Sequence, residues 1–185
     1  MKKNILFIII FIGCIFSVFG QNAGDFEYKA ENGGIIITGY RGNEKDVRIP
    51  EKLNGLPVTA IGDDAFSRKK LKSVTFPNTI THIGNRAFSY NRLTSIVFPN
   101  SLVFIGIMAF SNNRLTNITL SPSLVSIGMK AFAENRLKSV TFPDSIEYIG
   151  DGAFSMNFIN DVYISKTVRY FNSYAFDTYV NIIRD

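Results

Sequence analysis

The chain has 185 residues, 46% of them hydrophobic and 19% charged, with one cysteine, one histidine and a net charge of +5. That composition belongs to a folded domain and excludes a disordered or low-complexity chain, and a single cysteine excludes an internal disulfide. Basicity this mild, without a dense Lys/Arg run, a recognition-helix pattern or an RNA-stacking motif, argues against nucleic acid as a partner.

Residues 1–20 read as a secretory signal peptide. Lys2 and Lys3 precede an apolar run from Ile5 to Phe19 that only Gly13, Cys14 and Ser17 interrupt, and polar residues begin at Gln21. The run is too short for a comfortable membrane span, and Val18 and Gly20 suit cleavage before Gln21. Export to the medium or the cell surface is therefore expected. Loss of Lys2 and Lys3 leaves 18 basic and 15 acidic residues, a net charge of +3. An alternative turns on Phe11-Ile12-Gly13-Cys14, which loosely resembles a bacterial lipoprotein box. Lipidation of Cys14 would anchor the protein to a membrane, facing the periplasm, but Phe at −3 and the apolar residues after the cysteine speak against it. Either way the rest of the chain has no cysteine, so its stability comes from packing.

Residues 21–46 are expected to form an N-terminal β-hairpin cap. Phe26, Tyr28 and Ala30 alternate, Asn32-Gly33-Gly34 supplies a tight turn, and Ile35 to Thr38 is β-prone.

From 47 to 176 the chain repeats. Ile-Gly-x-x-Ala-Phe begins at Ile61, Ile83, Ile105, Ile127 and Ile149, always 22 residues apart, with a worn sixth copy from Phe171. Apolar residues follow each copy in constant phase, as in Leu71, Val74 and Phe76, or Leu137, Val140 and Phe142. A 22-residue period predicts a leucine-rich-repeat solenoid with one parallel strand per turn. The strand falls on Leu-x-x-Val-x-Phe, with Val74 and Phe76 pointing in, Ser73 and Thr75 pointing out, and Pro77, Pro99 and Pro143 closing it. The recurring glycine is expected at a turn, either with positive φ or at a close backbone approach. The alanine permits close stacking, and Phe66 to Phe154 predict a column of five rings, six with Phe176. Asn91, Asn113, Asn135 and Asn157 share one phase and predict a buried amide ladder that serves backbone groups of the next turn. Lys69 takes that phase in the first turn, where end repeats are atypical. Val47-Arg48-Ile49-Pro50 repeats the strand-end signal, but Ile61 follows Pro50 by eleven residues where later turns need six. An insertion around Asn54-Gly55-Leu56-Pro57 accounts for the excess. Residues 177–185 form a C-terminal cap, with a last strand between Val180 and Ile183.

These motifs, together with Asn54-Gly55-Leu56-Pro57-Val58, give a chain that resembles the BspA-like bacterial leucine-rich-repeat family from about Phe26 to Ile183. The resemblance implies exported or surface-exposed proteins, often adhesive, with no catalytic residues.

Chemistry-bearing residues are sparse and out of phase. His82 stands alone, Asp63-Asp64, Asp144 and Asp151 read as turn residues, and no Gly-Lys-Ser/Thr follows the repeated glycines. No enzyme, cofactor or metal site is expected. A binding surface is the better prospect. Lys70, Arg92, Arg114 and Arg136 share the phase just before the strand and should form a cationic column about 5 Å per step, which Lys72 and Lys138 extend. The plain reading is that their stems cover apolar surface; the sharper one is contact with an anionic protein patch or glycan. A second prospect is the outward strand face from Ser73 to Tyr163, whose small neutral side chains lack the usual interface anchors. The expected function is non-enzymatic binding or adhesion to a protein or glycan partner at or outside the cell envelope. The alternative is a structural spacer or envelope component.

Overall fold

The computed structural model describes residues 23–166, 168–171 and 173–184. The expected signal peptide and Cys14 lie outside them.

The hairpin forms where turn chemistry placed it. β1 (Phe26–Glu31) runs antiparallel to β2 (Gly34–Tyr40), and the two linking residues, Asn32 and Gly33, have φ of 51° and 77°, the pair of positive values that a two-residue hairpin needs. β2 then pairs in parallel with β5 (Leu56–Ile61), so the hairpin covers the first open edge. Between them lies β3 (Asp46–Arg48). The inserted residues fold as a second, smaller hairpin: β4 (Lys52–Leu53) turns back on β5 through Asn54 and Gly55, again both with positive φ.

The later turns carry two short strands each, except that residues 137–142, where a strand of the first kind was expected, form none. The one expected from Leu-x-x-Val-x-Phe appears as β6 (Ser73–Thr75), β8 (Ser95–Val97), β10 (Asn117–Thr119) and β13 (Asp161–Ile164). The central residue of β6 and β8 is buried and its neighbours are exposed, as alternation requires. A second ladder, which the sequence reading did not separate from the turn, runs through the residue pair ending in the repeated isoleucine. It comprises β7 (His82–Ile83), β9 (Phe104–Ile105), β11 (Ser126–Ile127), β12 (Tyr148–Ile149) and β14 (Tyr170–Phe171). With β1, β2, β4 and β5 it makes the continuous nine-stranded sheet, parallel except at the two hairpins. The first ladder is broken into the pairs β3–β6, β8–β10 and β13 with the last strand, β15 (Asn181–Arg184). That last strand falls within the expected C-terminal cap.

The repeated glycine answers to close approach, not to positive φ. A Cβ on Gly128 would lie 2.7 Å from both Gly106 C and Ile107 N, backbone that cannot move aside. The left-handed residue comes two positions later, at Asp64, Arg86, Met108, Lys130 and Gly152, with φ from 52° to 62°.

Inside, the phenylalanines stack as expected. Phe66, Phe88, Phe110, Phe132, Phe154 and Phe176 follow one another at 4.9 to 5.5 Å, nearly parallel. Tyr40 of the hairpin stacks on Phe66 at 5.4 Å and closes the column at its start.

Candidate functional site

The buried asparagines hold the turns in register beside the candidate surface. In Asn113, Oδ1 accepts the Leu93 N–H at 3.1 Å, while Nδ2 donates to Phe88 O and Phe110 O at 3.0 and 3.1 Å. Asn91, Asn135 and Asn157 repeat the pattern one turn back, one turn on and two turns on. Where Lys69 replaces the asparagine, the ammonium of Lys45 donates to the Lys69 carbonyl from the first turn. At the other end Asp177 accepts the Met156 and Asn157 N–H groups, and the Tyr179 hydroxyl donates to Asn157 O at 2.8 Å. Loss of solvent, then the Asp177 carboxylate, raises the Tyr179 hydroxyl above its usual range.

One residue after Asn91, Asn113 and Asn135 stands a member of the basic column. Arg92, Arg114 and Arg136 donate their backbone N–H to Leu71 O, Leu93 O and Leu115 O at 2.8 to 2.9 Å. The ladder is thus regular at the three arginines, which stand exposed one per turn; Lys70, one turn earlier, is also exposed but has a φ of 61°, which they do not share. Among the described residues none of the four joins an ion pair. Other exposed arginines do: Arg41 with Glu27, Arg86 with Asp64, Arg169 with Glu147. The bonded Asp64 carboxylate raises the Arg86 guanidinium above its ordinary range. The column therefore holds stacked like charges, a weakly unfavourable arrangement in water that an anion laid along it relieves.

Lys72 and Lys138 are exposed in the row two residues further on, three turns apart, with Thr94 and Thr116 between them. The Lys72 N–H bonds to Lys45 O, which places a further cation, unread in the sequence, one turn before Lys72. On the other flank, two residues before the column, stand Arg68, Tyr90, Asn112, Glu134 and Met156, a row whose identity changes at every turn on a constant backbone. All five have φ between 55° and 60°. The Arg68 guanidinium lies 4.1 Å over the Tyr90 ring, and Asn112, Arg114, Glu134 and Arg136 share one open cleft. The column ends at Phe158, in the next position of the same phase, whose N–H bonds to Leu137 O. Phe158 is 62% exposed and Met156 67%. Their exposure was missed because an apolar residue reads as interior; the signal was that Phe158 occupies the arginine phase.

The outward strand face is exposed as expected, but its strands part in two places. Shallow clefts of about 480 and 400 Å³ open between β6 and β8 and between β10 and residues 139–143. His82 is exposed, its Nδ1 2.8 Å from Thr81 Oγ1. Asp63 accepts the Asn85 N–H, and Asp64 pairs with Arg86, so this pair braces a bend.

The model of the BspA type leucine rich repeat region matches residues 59–183 as six copies. No curated protein matches the chain. Among solved structures, a leucine rich repeat protein of T. pallidum is 29% identical with a TM-score of 0.70, over 78% of this chain and 71% of that one. One from Bacteroides ovatus is 24% identical with a TM-score of 0.70, over 86% and 51%. The pneumococcal vaccine antigen PcpA is 22% identical with a TM-score of 0.61, over 80% and 50%, so this chain spans half the length of the last two.

Proposed function

The chain belongs to the BspA-type leucine-rich-repeat family, and we propose that it is an exported, non-enzymatic binding protein that adheres to a protein or glycan partner along the exposed side of its solenoid. The family's solenoid is typically non-catalytic and suggests a binding or adhesion role. Here the recurring buried side chains serve packing and register, which leaves the exposed outer rows for recognition. Export rests on the charge, apolar and small-residue order of residues 1–20.

The observation that carries the reading is the column Lys70, Arg92, Arg114 and Arg136, exposed and outside any ion pair among the described residues, with its three arginines in register. Each cation makes a weak contact alone; four fixed in a line act together, and the backbone ladder removes most of the ordering cost of bringing them there. The test is retention of the full chain on immobilised acidic proteins and anionic glycans at low salt, beside the variant Arg92→Glu/Arg114→Glu/Arg136→Glu. The variant is expected to lose retention with an unchanged circular dichroism spectrum, and wild-type retention to fall as salt screens the contacts. Equal retention of the two proteins would exclude the column as the contact.

A further inference from the structure

We infer that the ligand of this column is a linear anionic polysaccharide with one carboxylate per sugar ring, lying along the solenoid axis across the turns that carry Lys70 to Arg136. This rests on the binding reading above and deepens it by naming the ligand class.

Two observations favour a sugar chain over an acidic peptide. The first is spacing. Hydrogen-bonded turns recur at about 4.8 Å, so the four cations span about 14 Å. An extended peptide places same-side carboxylates about 6.6 Å apart and would be about 6 Å out of register by the fourth. Each pyranose ring of an extended polyuronate lengthens the chain by about one turn, so its charges keep pace. Carboxylates that alternate about the sugar chain turn half toward the column and half toward its flank, where Lys72 and Lys138 stand exposed.

The second is the flanking row. An acidic-peptide site would gain nothing from Glu134, an exposed carboxylate in the cleft it shares with Arg114 and Arg136. A sugar has what Glu134 and Asn112 require: hydroxyls that donate to the carboxylate and both donate to and accept from the amide. Phe158 at the end of the column presents apolar surface on which ring C–H groups pack, while Tyr90, half exposed beside Arg92, carries the Arg68 guanidinium on one ring face. Cation, amide, carboxylate and aromatic in adjacent rows make a surface for a charged, hydroxyl-rich chain.

The experiment is calorimetric titration of the full chain at low salt with uronic-acid oligomers of two to eight rings, poly-L-glutamate of matched charge, and a neutral glucan oligomer. Affinity for the uronate should rise until the oligomer spans four turns and then flatten. Poly-L-glutamate should bind on the order of tenfold more weakly and the neutral glucan not measurably. Glu134→Lys should strengthen poly-L-glutamate by more than the uronate, which loses a hydroxyl contact, and so narrow or abolish the preference. Arg92→Glu/Arg114→Glu/Arg136→Glu, with its fold verified by circular dichroism, should lower uronate affinity on the order of 100-fold. If poly-L-glutamate binds as well as the uronate and both depend on the arginines, the sugar assignment fails and the column reading stands. If the arginine variant binds like the wild type, the column reading fails as well.

Discussion

Replacing Asn113 with alanine tests the physics that lines up the surface. The substitution removes the sole acceptor of the Leu93 N–H, a group buried between turns. Phe88 O and Phe110 O fare better, because Asn91 and Asn135 still donate to them at 2.9 and 3.0 Å. One orphaned buried donor costs about 1–3 kcal/mol, and two carbonyls that each lose one of two bonds add about 0.5 kcal/mol apiece. The sum is about 3 kcal/mol, a large share of the ~5–15 kcal/mol that holds a domain together. Urea unfolding followed by circular dichroism should show the midpoint falling with little change in slope. Asn117→Ala, exposed on the strand face with a bond only to the Thr116 hydroxyl, is the control and should stay within about 0.5 kcal/mol of wild type. A loss below about 1 kcal/mol for Asn113→Ala would mean that the amide ladder does not hold the turns and that the column lacks its fixed register.

Phe110→Ala opens the middle of the ring column and should cost about 3–5 kcal/mol by the same assay, with Phe110→Leu losing much less. Gly128→Ala drives a Cβ into backbone at 2.7 Å and should cost about 1–3 kcal/mol, whereas Gly33→Ala should lose about 1–2 kcal/mol through its positive φ alone, with open space around it. Tyr179→Phe removes the bond to Asn157 O; a small loss of stability, with faster amide exchange confined to the last turns, is expected. The Tyr179 hydroxyl ionises at higher pH in the folded chain than in the unfolded one. Its contribution is whole below the unfolded value and is lost as pH rises through the folded one, so alkaline unfolding should begin later in Tyr179→Phe than in wild type, relative to each protein's neutral stability.

The sequence carried the period, the ring column, the amide ladder and the hairpin, because each is a side-chain identity repeated in phase and a turn motif with known backbone demands. Two structural features escaped it. The continuous sheet runs through pairs such as His82–Ile83, too short to show alternation and followed at once by a glycine that reads as a turn. The left-handed bend lies at Asp64, Arg86, Met108 and Lys130, whose side chains do not advertise that conformation, so it was sought at the neighbouring glycine. At the candidate site the arginine phase was legible, while the flanking row from Arg68 to Met156 was not. Its residues share only a backbone position, and Phe158, which no motif singled out, is turned outward.

Backbone amide hydrogen exchange of the full chain, with and without a saturating eight-ring uronate, locates the binding surface. Binding at the column predicts slowed exchange confined to residues 68–72, 90–94, 112–116 and 134–138. Slowing on the strand face, at 73–75, 95–97 and 117–119 with the column unchanged, would contradict it.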